Sequence, residues 1–284
     1  MSARVGLVTC LIMPEPDPDA DLMLELLHSA GVDAQHAAWN DATEDWSAFD
    51  LCVIRSTWDY YLDADQFLQW IELAESRTHL ENHPEIVRWN IHKRYLTQLE
   101  SAGLPIVPTV FIDRENELPL EALLDGKGWD DIVIKPAISA GSNETFRFGA
   151  DAFLQADAFL LRHTPHRDMM IQPYLKSVES GGERSTIFIN GSCSHVIEKK
   201  PRFQGDDESV SGELPVTDEE RDMLGRALEL LPEPVMYARL DTMRDGDGSR
   251  LISELELIEP SLFLLQSETA QKAFVDAVKN AISR

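Results

Sequence analysis

Leu251-Ile-Ser-Glu-Leu-Glu-Leu-Ile-Glu-Pro-Ser261 decides how this chain is read. Apolar Leu251, Leu255 and Leu257 alternate with Glu254 and Glu256, so the stretch predicts a strand with both carboxylates on one face. Upstream, Val235-Met-Tyr-Ala-Arg-Leu-Asp241 predicts a second strand, and Asp245-Gly-Asp-Gly248 between them is turn chemistry. The resulting β-hairpin brings Asp241, Glu254 and Glu256 together. Three carboxylates repel one another unless a cation sits among them, and hard oxygen ligands suit Mg²⁺ bound with substrate phosphates. The other reading is a solvated strand face. Spacing leaves both open, although Asp and Glu are poor strand formers.

The chain has 284 residues, enough for two or three modules with their own cores, and its 43% hydrophobic and 26% charged content is that of a soluble globular protein. The formal charge of −25 argues against a general binder of nucleic-acid backbone or of an anionic membrane. A nucleotide site needs only a few local cations and stays open. Cys10, Cys52 and Cys193 lack metal spacing; Cys10 and Cys52 sit in apolar runs and read as buried, inert thiols, and the sparse, odd count suits a reducing cytoplasm. The N-terminus has no signal-like segment, and no apolar run approaches the ~20 residues of a membrane helix.

In order, the pattern predicts strands at Arg4 to Thr9, Val32 to Ala38 and Asp50 to Arg55, with helices at Asp21 to Ala30 and Ala64 to Glu75. That is an open α/β unit, in which ligands sit at the carboxyl ends of strands. Arg55, Ser56, Trp58 and Tyr60 lie at such an end. Arg55 is costly to bury, and fits either substrate contact or a structural ion pair. Glu81 to Asn90 reads as a loop running into a helix from Ile91 to Ala102, with Lys93 on its first turn. Residues 109–175 then read strand–helix–strand–strand–helix–strand, the size of a lid. Asp131 to Pro136 delivers Lys135 to a small-residue loop, Ser139 to Asn143. Such a loop lets backbone N–H groups approach phosphate, but an exposed lysine beside a turn is the plainer reading. Asn190-Gly191 predicts a hairpin, Phe203 to Gly212 a polar mobile loop, and Thr217 with Glu220 a capping box opening a helix to Leu231. Ser267 to Arg284 reads as a terminal helix. No Walker, Gly-x-Gly-x-x-Gly or Gly-x-Ser-x-Gly motif occurs, and His79 and His83 read as surface residues of a loop. Carboxylates are too many for counting to eliminate a glycosidase-like pair.

This order of parts resembles the ATP-grasp ligases, of the glutathione-synthetase and D-alanine–D-alanine-ligase kind, over nearly the whole chain. Asn90 and Lys93 match an Asn-x-x-Lys helix start, Lys135-Pro136 a lid strand, and Ser139 to Glu144 the phosphate loop. Gln172-Pro-Tyr-Leu175 matches the hinge facing adenine, and Gly182-Glu-Arg184 precedes a strand ending at Asn190-Gly191. Glu254-Leu-Glu-Leu-Ile-Glu-Pro260 matches the metal strand Glu-x-Asn-x-x-x-Pro, with Glu256 in place of asparagine. The extra charge should tighten metal binding or demand a compensating cation. Arg-Ser-x-Trp-Asp-Tyr and Arg-Trp-Asn-x-x-Lys-Arg-Tyr-Leu look most like the O-ureido-serine cyclo-ligases of cycloserine biosynthesis.

The resemblance implies an α/β ATP-grasp fold. An N-terminal substrate domain (1–88) and a linker (89–111) would precede a lid (112–174) and an ATP- and metal-binding core (175–284). It implies an ATP-dependent carboxylate–amine ligase working through an acyl phosphate on an amino acid or small derivative. A non-catalytic nucleotide-binding regulator on the same scaffold is the alternative, and a metal-dependent hydrolase a more distant one. Lys93, Lys135, Ser139, Gly141, Ser142, Gln172, Tyr174, Leu175 and Glu183 would bind ATP, and Asp241, Glu254 and Glu256 two Mg²⁺ or Mn²⁺ ions. Arg184, Lys199 and Arg239 would neutralise the transferred phosphoryl. Arg55, Ser56, Trp58, Tyr60 and Arg202 would face the acyl and amine substrates. Members often form homodimers, and neither nucleic acid nor membrane is expected as a partner.

Overall fold

The computed structural model describes residues 3–200 and 209–283. The first part is a parallel sheet. It is built from β1 (Arg4–Thr9), α1 (Ala20–Ser29), β2 (Asp33–Ala38), β3 (Leu51–Ser56), α2 (Ala64–Glu75) and β4 (His79–Glu81), in the order β2-β1-β3-β4. The apolar runs of β1 and β3 are buried because helices cover the sheet. The loops after β1 and β3 leave from neighbouring strands at the point where strand order reverses.

Two short helices follow, α3 (Pro84–Asn90) and α4 (Tyr95–Ser101). The second sheet comprises β5 (Val110–Ile112), α5 (Leu120–Leu123), β6 (Asp131–Pro136), β7 (Phe146–Gly149), α6 (Phe153–His163) and β8 (Met169–Pro173), antiparallel in the order β5-β8-β6-β7. The third comprises α7 (Val178–Gly181), β9 (Glu183–Ile189), β10 (Ser192–Lys199), α8 (Asp218–Leu228), β11 (Tyr237–Arg244), β12 (Arg250–Glu256) and α9 (Glu268–Ile282), antiparallel in the order β10-β9-β11-β12.

Local chemistry explains most of these elements. Asn190 (φ +52) and Gly191 (φ +87) both take the left-handed conformation that the tight β9–β10 hairpin requires. The Thr217–Glu220 capping box opens α8, and Ser267 caps α9 by accepting from the Ala270 N–H. One core joins the first and third sheets. Val5, Leu7, Leu51 and Val53 pack with Ile187, Ile189 and Ile197, and with Phe274 and Val278 of α9.

The structure departs from expectation in four places. The stretch expected as a loop, Glu81 to Asn90, carries α3, the helix expected from Ile91 begins only at Tyr95, and Lys93 lies in the break between the two, where its N–H donates to Ala137 O at 2.8 Å. His79 is not in a loop but opens β4, although it is exposed, and His83 is the N-cap of α3. Val178–Gly181 forms a helical turn that its Ser- and Gly-rich surroundings conceal. Of the loop expected to be mobile, residues 203–208 lie outside the described residues. Val210 instead pairs with Lys199 of β10, because the Ser211 N–H donates to Glu198 O at 2.9 Å.

Candidate active site

The β11–β12 register sets Asp241 opposite Glu254 and Arg239 opposite Glu256. Side chains two apart on one strand share a face, so all four project from the same wall. Neighbouring side chains hold β12 there. Asn90 Nδ2 donates to Leu255 O at 2.8 Å while its Oδ1 accepts from Leu257 N–H at 3.0 Å, and Tyr95 Oη accepts from Leu255 N–H at 2.9 Å. This wall closes one side of a cavity of about 330 Å³ between the three sheets.

Nearly every charge on that wall is paired. Lys93 Nζ lies 2.7 Å from Glu254 Oε1, and Lys135 Nζ lies 3.7 Å from Glu254 Oε2. Lys199 Nζ sits between Asp241 Oδ2 at 2.8 Å and Glu183 Oε2 at 3.0 Å. Arg239 Nη2 bridges Asp241 Oδ2, at 3.0 Å, and Glu256. Burial pushes the Asp241 carboxyl up, but Arg239 and Lys199 outweigh it and hold it well below the usual range. Glu254 is likewise lowered, because Lys93 and Lys135 outweigh burial. Burial and the Arg239 charge press the Lys199 ammonium down, yet Asp241 and Glu183 hold it above an ordinary lysine. Glu256 goes the other way: burial, with the Asp241 and Glu254 charges, pushes it up to about 7 against the pull of Arg239. Glu259 is pushed up to about 8 by burial and by Glu256.

The loop after Lys135 forms the roof. Ser139 O accepts from Lys93 Nζ at 2.8 Å and from Tyr60 Oη at 3.4 Å. Gly141 (φ +59), Ser142 (φ +58) and Glu144 (φ +50) follow in the left-handed region, which turns backbone donors to one side. Gln172, Tyr174 and Leu175 line the cavity from the end of β8. The Gln172 amide donates to Thr109 Oγ1 at 3.0 Å, and the Arg147 guanidinium stacks 3.5 Å from the Tyr174 ring centre.

All nine residues expected to hold ATP therefore line one cavity, with Lys199, Arg239, Asp241, Glu254, Glu256, Trp58 and Tyr60. Three expected site residues do not. Arg184 alternates to the other face of β9, where Nε donates to the buried Glu220 at 2.6 Å. Arg55 is buried away from the cavity. Its Nη2 donates to Pro260 O at 2.6 Å and its guanidinium lies 4.8 Å from the Tyr237 ring centre, so it meets carbonyls and an aromatic face rather than an anion. Ser56 Oγ donates to Asp17. Arg202 lies outside the described residues. Sequence patterns did not point to Glu15, Lys200 and Glu259, which also line the cavity. Glu259 lies past the alternation of β12, so strand periodicity gave no direction for it; the nearest signal was its place before Pro260.

Two of the three cysteines were expected to be buried, and Cys193 is half-buried. Cys10 and Cys52 are buried, and desolvation pushes both thiols up to about 12. Among the described residues no helix is long and apolar enough to cross a membrane.

The donor set fits a hard divalent cation. Among the described residues no three acidic, His or Cys side chains form a ready-made metal cage. Mg²⁺ rarely needs one, since it binds through one or two carboxylates and takes its other ligands from phosphates and water. Glu254 and Asp241, with Glu256 beside them, offer those carboxylates. In the free protein Lys93, Lys135, Lys199 and Arg239 neutralise them instead.

Fold and cavity together define the class. The same architecture occurs in the ATP-grasp ligase PsnB, solved with minimal precursor, Mg and ADP (TM-score 0.65, 16% identity, 99% of this chain and 98% of that one). That likeness shows the ATP-grasp fold. Residues 5–82 match the family of the D-cycloserine synthetase DcsG N-terminal domain. The cycloserine biosynthesis protein DcsG of Streptomyces lavendulae is 30% identical across 96% of this chain and 97% of its own. A crystal structure of D-cycloserine synthetase DcsG matches with TM-score 0.89 and 28% identity over 98% of this chain and 99% of that one. The chain belongs to the DcsG family of ATP-grasp ligases.

Proposed function

We propose that this ligase activates the carboxylate of an amino-acid derivative of the O-ureido-serine type as an acyl phosphate, and then closes a carbon–nitrogen bond within the same molecule. The observation that carries the reading is the convergence of Lys93 and Lys135 on Glu254 beneath the Ser139–Glu144 loop. Two lysines on one half-buried carboxylate are more positive charge than that carboxylate needs. With a polyphosphate and a divalent cation bound, Lys93 and Lys135 would pair with phosphate and Glu254 would be free to hold the cation. Few charges are then left unpaired at any stage, which matters in a buried site.

The Gln172–Leu175 segment faces adenine, and Lys93, Lys135 and the loop amides hold the phosphates. Glu254, Asp241 and Glu256 would hold a divalent cation, which would supply neutralising charge to the phosphoryl oxygens. A carboxylate oxygen of the substrate attacks the γ-phosphorus, the bond to the β–γ bridging oxygen breaks, and ADP leaves. The ureido nitrogen then attacks the acyl carbon, the acyl C–O bond breaks, phosphate leaves, and the nitrogen gives up a proton. Lys199 and Arg239 neutralise charge on the transferred group. The loop excludes water, which would hydrolyse the acyl phosphate.

The test is ADP release from ATP and Mg²⁺ across O-ureido-serine and a panel of serine derivatives. O-ureido-serine should be turned over, with phosphate released in equal amount. Lys135→Ala and Glu254→Ala should each lower turnover by at least about a hundredfold while the fold persists by circular dichroism. Retained turnover in both variants would sink the proposal.

A further inference from the structure

Glu183, Asp241, Glu254 and Glu256 each have a cation against them, whereas Glu259 has none among the described residues. It is 8% exposed, lines the cavity, and makes neither a salt bridge nor a side-chain hydrogen bond with a described residue. A carboxylate in that state is costly, and proteins usually pair or remove such groups.

The surrounding backbone is not loose. Three consecutive carbonyls are fixed by side chains of other strands and loops. Ile258 O accepts from Tyr237 Oη at 3.0 Å, Glu259 O from Trp58 Nε1 at 3.0 Å, and Pro260 O from Arg55 Nη2 at 2.6 Å. Arg55 and Trp58 come from the carboxyl end of β3 and the loop beyond it, so the parallel sheet locks the segment that carries Glu259. A rigid backbone presenting an unpaired carboxylate to a cavity is a preorganised cation site. Trp58 and Tyr60 line the same cavity, and aromatic side chains favour an organic ammonium, which is attracted to ring faces as well as to carboxylate.

We propose that Glu259 binds the primary ammonium group of the substrate and restricts the site to amino-acid derivatives over their des-amino counterparts. This rests on the ligase reading above. Arg55 then acts as a positioning residue, which holds the backbone of the ammonium-binding segment rather than touching substrate, while Trp58 both holds that backbone through its N–H and lines the cavity.

The experiment compares O-ureido-serine with its des-amino analogue, 3-(ureidooxy)propanoate, in the wild-type chain, Glu259→Gln and Glu259→Asp. The readouts are KM and kcat for ADP release, with ADP–Mg²⁺ affinity measured by calorimetry. In the wild type, loss of the amino group should raise KM about tenfold to a hundredfold, the worth of one charged hydrogen bond. Glu259→Gln should raise KM for O-ureido-serine similarly and bring the two compounds within about threefold of each other. Glu259→Asp should recover part of the discrimination, and ADP–Mg²⁺ affinity should stay within about twofold. Discrimination that survives in Glu259→Gln, or no discrimination by the wild type, overturns the assignment. So does a fall in ADP–Mg²⁺ affinity parallel to KM, which makes Glu259 a metal ligand. A wild-type chain inactive on both compounds overturns the ligase substrate and this assignment together; an active one with unaffected variants overturns this assignment alone.

Discussion

Glu256 stands where the family resemblance expects an asparagine, and Arg239 answers the extra charge by bridging Glu256 and Asp241. The compensating cation anticipated from sequence is thus on the paired strand. Glu256→Asn should release Arg239 from one of its two carboxylates and raise the Mg²⁺ concentration for half-maximal activity several-fold. An unchanged Mg²⁺ titration would mean that Glu256 is no ligand. Glu259 gives a pH prediction with a definite sign. Its carboxyl is pushed up to about 8 from an ordinary 4.5, so the folded chain binds more protons than the unfolded chain between those values. The stability of the ligand-free protein therefore falls as pH rises through that window. Glu259→Gln should melt with the wild type near pH 4.5 and above it, by several degrees, near pH 8.5; parallel curves would refute the shift. Arg184 shows the limit of motif matching. Residue order placed it beside Glu183, but strand alternation sends the two to opposite faces. Arg184→Ala should cost stability through the buried Glu220, roughly 1–3 kcal/mol by thermal melt, and leave KM for ATP unchanged.

At the level of elements, the hairpin that carries the acidic residues was legible because it rests on local signals: alternation, a turn rich in Asp and Gly, and strand-forming flanks. The strand–helix–strand–strand–helix–strand order of the second sheet was legible for the same reason. The break between α3 and α4 was not. Nothing between Asn90 and Tyr95 is Gly or Pro, and tertiary demands set the break. Lys93 must reach Glu254 while its N–H bonds Ala137 O. Asn90 was read as part of a motif, whereas in the fold it clamps β12 from both sides. Asn90→Ala leaves two buried backbone groups unpaired and should cost roughly 2–4 kcal/mol in denaturant unfolding, with a fall in kcat as Glu254 loses its registration. Gly182 is a second such point. It has φ +64, and a Cβ there would lie 2.8 Å from Lys199 O. Gly182→Ala should therefore disturb the backbone of Lys199 and lower activity more than stability.

For the whole molecule, the length allowed two or three modules, the order of strands and helices pointed to an α/β chain, and the motifs pointed to the residues that line one cavity. The three sheets meet around one cavity, and a single core runs from β1 through β9 to α9. Composition could not foretell contacts made across the chain. Arg55 reaches Pro260, 205 positions away, and no local pattern announces that a substrate-like arginine is holding backbone. The net charge of −25 excludes little about a nucleotide site, because the site carries its own cations. The proposed mechanism stands on an acyl phosphate, and isotope transfer probes that intermediate directly. O-ureido-serine labelled with ¹⁸O in both carboxylate oxygens is turned over with ATP and Mg²⁺, and the released phosphate is read by ³¹P NMR. Attack of the carboxylate on the γ-phosphorus predicts one ¹⁸O in each phosphate; turnover that yields unlabelled phosphate would contradict it.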